Sequence, residues 1–183
     1  MTVYAFSKEN LERASSEVNS LMQLFDQKFQ EVIEDSRVHE NEIRVRVIGD
    51  LNLLPENVRG SIEEAVESTK NYDNFSLNIA IGYGGRAELA EAVRNICKEI
   101  NEKGIDPDTI DEDMIEDNLY TADLPDPDLI IRTSGEERLS GFLLWQSAYS
   151  ELYFCEANWP EFDRINFLRA IRNYQGRERR FGE

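Results

Sequence analysis

Strand-like runs of β-branched and alternating residues are interleaved along this chain with longer runs that carry apolar residues at helical spacing. The strand-like runs cover 2–6, 43–48, 75–81, 129–131 and 152–154, and the helical runs cover 15–35, 55–70, 86–103 and 162–174, with a short helix inside the acidic segment 106–119. Helices between successive strands act as right-handed crossovers, which produce parallel pairing. The sequence therefore predicts an α/β fold with a mostly parallel central sheet flanked by helices. Its length favours a single domain over residues 1–183.

The charge balance excludes some classes of partner. The chain carries 37 acidic against 20 basic residues, a formal net charge of −17. Such a surface repels phosphate backbones, so a nucleic-acid partner and a general anionic-membrane surface are not expected. The sequence contains neither a secretory apolar core nor a run of 18 apolar residues. We therefore expect a cytoplasmic location.

Cysteine and histidine usage indicates no metal site. Cys97 and Cys155 stand in unrelated contexts and form no CxxC pair, so neither a zinc site nor a disulfide framework is predicted. Cys97 lies in a helical pattern, which favours a buried packing role. His39, the single histidine, lies in an acidic segment before a strand and is expected to be solvated and non-catalytic.

The segment 126–154, DPDLIIRTSGEERLSGFLLWQSAYSELYF, has the most specific pattern. The strand-like run in it is followed by Arg132, Thr133, Ser134, Gly135, Arg138, Ser140 and, further on, Glu151. A guanidinium fork, hydroxyl groups and a tight backbone turn suit the oxygens of a phosphate group, and open α/β sheets bind ligands beyond the carboxyl ends of their strands. The same residues equally fit an arginine in a surface ion pair followed by a Ser/Gly turn.

Two other predicted strands end in polar or glycine-rich residues. The first leads into residues 7–10, Ser-Lys-Glu-Asn, at the same end of the sheet as Arg132. An ordinary helix cap at Ser7 or Asn10 also explains that segment. The third strand leads into residues 82–86, Gly-Tyr-Gly-Gly-Arg, where glycines let the backbone approach a neighbour or a ligand. A simple turn between a strand and a helix explains them equally well.

Six segments together resemble the cis-prenyltransferases, the undecaprenyl diphosphate synthase family. In family order they are YAFSKEN (4–10), RVIGD (46–50), NIAIGYGGR (78–86), the segment 126–154, WPEFD (159–163) and RERRFG (177–182). The resemblance implies that isopentenyl diphosphate is condensed repeatedly onto an allylic diphosphate, with Mg²⁺, to give a Z-polyprenyl diphosphate of the undecaprenyl type for lipid carrier synthesis. It also implies a homodimer with at most peripheral membrane contact for product release. The primer, farnesyl or geranylgeranyl diphosphate, stays open.

The resemblance implies roles for individual residues. Substrate binding is implied for Ser7, Lys8, Glu9, Arg13, Arg132, Arg138, Leu139, Ser140, Arg180 and Gly182. Among them, Arg132, Arg138 and Ser140 would hold the diphosphate of isopentenyl diphosphate. Arg180 and Gly182 would reach that site in the neighbouring subunit. Glu151 matches the magnesium ligand.

Asn10 matches the family's catalytic asparagine, which is proposed to help remove a proton from the isopentenyl unit. Because an amide is a poor base, we expect Asn10 to orient the reacting groups, with a diphosphate oxygen as an alternative proton acceptor.

Two features depart from the family pattern. Leu11 stands where the family usually has tryptophan. The family's first strand, its Asp-Gly-Asn-type loop and its first helix have no counterpart, although the aspartate of that loop binds magnesium and the allylic diphosphate. We expect a mis-called start or a truncation. The alternatives are an inactive, N-terminally truncated homologue, a non-catalytic partner subunit, or an unrelated phosphate- or nucleotide-binding α/β domain.

Overall fold

The computed structural model of the chain describes residues 1–177. The chain forms two compact units, Met1–Tyr120 and Thr121–Glu183. The predicted site residues Arg180 and Gly182 lie outside the described residues. Within 1–177, no helix combines the length and the apolar character needed to cross a membrane.

The first unit contains a parallel three-stranded sheet. Its strands are β1 (Thr2–Ser7), β2 (Ile43–Ile48) and β3 (Phe75–Tyr83), in the order β1-β3-β2. β3 pairs with both neighbours in parallel. The three predicted strands are confirmed, but β3 continues through the glycine at position 82 to Tyr83 instead of ending at residue 81.

Five helices accompany this sheet: α1 (Ser15–Glu34), α2 (Ser36–Glu40), α3 (Glu56–Thr69), α4 (Gly85–Lys103) and α5 (Glu112–Glu116). The prediction missed α2, because five residues are too few to show a helical period. A cap explains where α2 begins, since the side chain of Asp35 accepts the backbone N–H of Arg37 at 2.9 Å. Gly104 ends α4 with φ +66°, as its position after the apolar stripe predicts.

The core of the first unit lies where α1 and α3 cover the sheet. Its buried members are Phe6, Met22, Phe29, Val45, Leu54, Val58, Ile62, Ala65 and Ile81. A polar bridge joins the two helices beside this cluster. Asp26 on α1 accepts hydrogen bonds from the Ser61 hydroxyl and from Nδ2 of Asn57 at 3.0 Å. These bonds, that of Ser61 first, lower the pKa of Asp26.

Two side chains in this unit overturn expectations from the sequence. Cys97 is exposed, because Ala92 and Ile96 form the buried stripe of α4 and the next position faces outwards. His39 is half-buried rather than solvated, with Nε2 2.7 Å from the carbonyl oxygen of Ile33 and Nδ1 2.7 Å from the hydroxyl of Tyr72. A carbonyl oxygen only accepts, so Nε2 is the donor in the bond to Ile33.

The second unit contains a parallel strand pair and a helix. β4 (Leu129–Arg132) pairs with β5 (Glu151–Phe154), and α6 covers Arg164–Gln175. The predicted elements are confirmed, although α6 begins two residues later than residue 162. Trp159–Glu161 forms a 3₁₀ turn, and the side chain of Asp163 caps α6 by accepting the N–H of Asn166 at 2.9 Å. The parallel strand pairs, joined by helical crossovers in the first unit, confirm the α/β class, while a single domain over 1–183 stays a prediction.

Candidate functional site

The carboxyl ends of the strands in the first unit are brought together by two glycines. Gly49, just after β2, has φ +129°, and a Cβ built on it would lie 2.1 Å from the carbonyl oxygen of Ile81. The backbone N–H of Asp50 donates to the carbonyl of Gly82 at 3.4 Å, and Gly82 itself has φ +61°. Only residues without a side chain fit so close an approach.

Asn10 lies in a 3₁₀ turn, Lys8–Glu12, that directly follows β1. Its Oδ1 accepts the backbone N–H of Ser7 at 2.9 Å, which is the helix-cap arrangement that the sequence also allowed. Because Oδ1 is already engaged as an acceptor, the group that Asn10 can offer to a ligand is its amide N–H₂. The side chain is therefore arranged to donate a hydrogen bond rather than to remove a proton.

Lys8 and Glu9 lie beside the glycine turn that precedes α4. A Cβ built on Gly84 would lie 3.7 Å from Cβ of Lys8 and 3.8 Å from Oε1 of Glu9. Both side chains are exposed, so the structure unites these two sequence segments at one accessible edge. Arg13 is engaged elsewhere, since its Nη1 lies 2.6 Å from Glu17 of α1.

A buried polar network, which sequence reasoning missed, lies behind this turn. The hydroxyl of Tyr83 donates to Oε2 of Glu88 at 2.5 Å, and the N–H of Tyr120 donates to Oε1 at 3.1 Å. The hydroxyl of Tyr120 lies 2.5 Å from Glu91, and burial followed by this bond raises the pKa of Tyr120. The network ties α4 to the end of β3. The residue type of Glu88 did not indicate that it is buried, because most glutamates are exposed.

In the second unit, Arg132 at the end of β4 is joined to the loop that follows it. Its Nη1 donates to the carbonyl oxygen of Arg138 and to Oγ of Ser140, both at 2.8 Å. Leu139 is half-buried between them, and the guanidinium of Arg138 is paired with Glu136. Arg132 and Ser140 are thus in direct contact, while the charge of Arg138 faces a carboxylate.

The loop has an unusual backbone. Ser134, Ser140 and Leu143 have φ values of +68°, +50° and +46°, in the left-handed region that residues with a side chain rarely adopt. Gly135 and Gly141 are also left-handed, with φ +68° and +78°. A run of such residues bends the chain sharply around the Arg132 guanidinium.

The backbone N–H groups of Ser134 and Gly135 do not serve as phosphate donors in this structure. They donate to the carbonyls of Ala157 and Cys155, at 2.8 and 2.9 Å. The Cys155 N–H in turn donates to the carbonyl of Arg132 at 2.8 Å. These two amides instead extend the pairing of β4 with β5 beyond its last ladder residues.

Glu151 stands at the other end of the strand pair. It lies opposite Leu129, whereas Arg132 lies opposite Phe154, so their main chains are three residues apart, about 10 Å along the strands. The carboxylate of Glu151 is ion-paired with Arg177, a partner that the sequence did not suggest. The structure therefore does not place Glu151 in the contact formed by Arg132 and Ser140.

The donor set for a metal ion is small. Among residues 1–177, no group of three acidic, histidine or cysteine side chains could hold a cation. Mg²⁺ needs only one or two protein carboxylates when phosphate oxygens and water complete its octahedron. Glu151 alone therefore fits a magnesium ion that arrives with a diphosphate, and does not form a cage for the free ion.

Comparison with known proteins extends over nearly the whole chain. The family model for undecaprenyl diphosphate synthase matches residues 1–182. A tritrans,polycis-undecaprenyl-diphosphate synthase (geranylgeranyl-diphosphate specific) of Methanocaldococcus jannaschii is 55% identical over 185 residues, covering 100% of this chain and 66% of that protein. A synthase of the same name from Thermococcus kodakarensis is 54% identical over 182 residues, covering 100% of this chain and 69% of that protein.

Two solved structures of diphosphate synthases are also similar to this chain. A lavandulyl diphosphate synthase from Lavandula x intermedia, in complex with dimethylallyl diphosphate, superposes with a TM-score of 0.94 at 35% identity, covering 100% of this chain and 78% of that one. A probable undecaprenyl diphosphate synthase from Campylobacter jejuni gives a TM-score of 0.84 at 37% identity, covering 100% and 82%. The chain spans about two thirds of the length of the Methanocaldococcus and Thermococcus relatives, 66% and 69%.

Proposed function

The chain belongs to the undecaprenyl diphosphate synthase family, and on that premise we propose that it elongates an allylic diphosphate with isopentenyl diphosphate. The product is a Z-polyprenyl diphosphate of the undecaprenyl type, for lipid carrier synthesis. Geranylgeranyl diphosphate is the proposed primer, because the relatives of Methanocaldococcus and Thermococcus are named as specific for it. The observation that carries the proposal is the contact of Arg132 with Ser140 at the end of β4.

Arg132 and its loop would bind the diphosphate of isopentenyl diphosphate. The bonds from Nη1 to Arg138 and Ser140 fix the plane of the guanidinium, and its other N–H groups stay available for phosphate oxygens. Arg138 would exchange its ion pair with Glu136 for the diphosphate, because a doubly charged anion attracts a guanidinium more strongly than one exposed carboxylate.

The chemical step breaks the bond between the allylic carbon and the diphosphate oxygen, and the electron pair leaves with the diphosphate. The double bond of the isopentenyl unit forms the new carbon–carbon bond, and a proton is then lost. Cationic groups aimed at the departing diphosphate stabilise the charge that develops on it. The amide N–H₂ of Asn10 would orient the reacting groups, since its Oδ1 is held by Ser7. A diphosphate oxygen would take the proton.

Mg²⁺ is the proposed cofactor, and Glu151 is the residue that would hold it. When bound, a magnesium ion neutralises charge on the leaving diphosphate. To hold the ion, Glu151 would have to leave its ion pair with Arg177. A diphosphate would favour this exchange, because an anion offers the guanidinium a new partner.

The assembly and location are proposed on the same premise. We propose a cytoplasmic homodimer in which Arg180 and Gly182 of each subunit complete the isopentenyl site of the other. Contact with the membrane during product release would be at most peripheral.

A product assay tests the function. The protein at its natural length is incubated with Mg²⁺, labelled isopentenyl diphosphate, and either geranylgeranyl or farnesyl diphosphate. We expect long Z-polyprenyl products, formed faster from the geranylgeranyl primer. Binding of isopentenyl diphosphate without turnover would instead identify a non-catalytic partner subunit. Failure of both binding and turnover would contradict membership of the working enzymes and favour another phosphate ligand.

A further inference from the structure

Helix α6 and the residues just after it carry a local charge opposite to that of the chain. Residues 164–177 contain four arginines and no acidic residue, within a sequence of net charge −17. The dipole of a helix favours cations only in its last turn and disfavours them in the first, where Arg164 stands. Complementing the dipole therefore explains Arg172 but not the whole set.

Three of these arginines border one open cleft. It has a volume of about 450 Å³ and is lined by Arg169, Arg172, Asn173, Gly176 and Arg177. Guanidinium groups that share a cleft repel one another, so their grouping is unfavourable unless an anion lies between them. This places a concentration of positive charge around a space large enough for a phosphate-type ligand.

The donors around the cleft are only partly used. Within the described part of the chain, the guanidinium groups of Arg169 and Arg172 have neither a hydrogen bond nor an ion pair. Other exposed bases do find acids, as Arg13 does with Glu17 and Arg37 with Asp35.

One more donor of the cleft is positioned but unused. Nε of Arg177 donates to Oδ1 of Asn173 at 3.1 Å, which fixes the amide and leaves its Nδ2 without a partner among residues 1–177. The cleft thus offers two guanidinium forks and an oriented amide, all of them hydrogen-bond donors.

From this arrangement we infer that the cleft is a second anion site, separate from the Arg132 loop and linked to the proposed reaction only through Arg177, which holds Glu151. Its ligand class is a phosphate or diphosphate group, because guanidinium forks match tetrahedral oxyanions with paired hydrogen bonds. Arg169 and Arg172 bind the oxygens, and the amide of Asn173 adds a neutral donor. Arg177 contributes from the rim while it holds Glu151.

The chemistry admits two sources of that phosphate group. One is a free ion such as pyrophosphate. The other is a headgroup in a bilayer, since Ile165 and Leu168 are 58% and 50% exposed on the same helix and lie on one face with Arg172. Exposed apolar side chains next to arginines suit a surface where acyl chains and phosphates meet.

The test has two arms and a matched control. All proteins carry Arg132→Ala, so that the candidate diphosphate site in the β4 loop is disabled, and all are checked by thermal unfolding. Arg169→Gln and Arg172→Gln remove a charge that lines the cleft, whereas Arg164→Gln removes one from the same helix outside it. One arm titrates pyrophosphate by calorimetry without Mg²⁺. The other measures flotation with phosphatidylcholine vesicles, with and without phosphatidylglycerol.

Each outcome decides the matter. Binding of pyrophosphate that weakens about tenfold in Arg169→Gln and Arg172→Gln, but changes by less than about twofold in Arg164→Gln, supports the site with a free ion as its source. The same pattern with phosphatidylglycerol vesicles alone supports the site with a lipid headgroup. The absence of binding in both arms overturns the inference. An equal loss in all three variants also overturns it, because that is the behaviour of diffuse attraction.

Discussion

The hydroxyl of Tyr83 donates a 2.5 Å hydrogen bond to the Glu88 carboxylate, and both side chains are at most 1% exposed. Removing this donor leaves a buried carboxylate with one contact fewer. We expect Tyr83→Phe to lower the free energy of unfolding by about 1.5–3 kcal/mol, the range for hydrogen bonds to charged groups. Urea denaturation followed by circular dichroism measures the change.

Tyr4 provides the matched control. Its hydroxyl donates to the neutral carbonyl oxygen of Tyr83 at 3.1 Å, in a half-buried position. Tyr4→Phe should cost only about 0.5–1.5 kcal/mol. Equal losses in the two variants would mean that the charge of Glu88 plays no part.

The Arg132 loop gives a kinetic prediction. Loss of a charge-assisted contact to a bound diphosphate costs about 2–5 kcal/mol. Arg132→Ala should therefore lower kcat/KM for isopentenyl diphosphate by more than tenfold. A loss of about 2 kcal/mol, the lower end of that energy range, corresponds to about 30-fold. Arg37→Ala is the control, since the side chain of Arg37 is paired within residues 1–177 with the carboxylate of Asp35 alone. Unchanged kinetics in Arg132→Ala would remove this residue from the site.

Metal binding should depend on the diphosphate. Glu151 is a single carboxylate already paired with Arg177, so calorimetry with Mg²⁺ alone should detect no stoichiometric binding. Adding isopentenyl diphosphate should make the binding measurable, and Glu151→Gln should weaken it. Tight binding of Mg²⁺ without any diphosphate would show that the metal site lies elsewhere.

Subunit mixing tests the action of Arg180 in the proposed homodimer. A dimer of one Arg180→Ala and one Glu151→Ala subunit has one doubly damaged site and one intact site, if Arg180 acts on the neighbour. Activity should then partly return when the two inactive proteins are mixed and allowed to exchange subunits. Mixed dimers that stay as inactive as their parents would exclude action across the interface.

Two glycines should respond oppositely to the same substitution. Gly60 lies inside α3, and nothing stands within 4 Å of a Cβ built on it, so Gly60→Ala should stabilise the protein by about 0.5–1 kcal/mol. At Gly49 the new methyl would lie 2.1 Å from the carbonyl oxygen of Ile81, and Gly49→Ala should destabilise it. Thermal unfolding of both variants measures the contrast, and a shift of the same sign in both would contradict it.

Elements whose hydrophobic pattern repeats along their length could be predicted from the sequence, and short elements fixed by a local contact could not. β2 was placed at 43–48 by its alternating residues, and α1 by its apolar stripe. The five-residue α2 depends on the Asp35 cap, which pattern reasoning did not identify. Cys97 was misplaced because a one-residue step around a helix turns a side chain through about 100°, from the packed face to the exposed one.

The candidate site was predictable in composition but not in its internal contacts. The sequence placed Arg132 at a strand end, and the family that it suggested is confirmed. It could not show that the backbone N–H groups of Ser134 and Gly135 donate to carbonyls of the segment just after β5, since backbone partners depend on tertiary geometry. The same limit applies to Glu88 and to the pairing of Glu151 with Arg177, because nothing in a residue type shows which distant group will face it.

The left-handed residues of the loop after β4 have a consequence for how a ligand would be received there. Ser134, Ser140 and Leu143 already hold the sharp bends that bring Ser140 onto Arg132. A loop that has given up its conformational freedom during folding loses little more when an anion arrives. Association would then resemble insertion into a rigid socket, with a small entropic barrier. Replacing these residues with glycine should lower the association rate of the ligand and raise its dissociation rate.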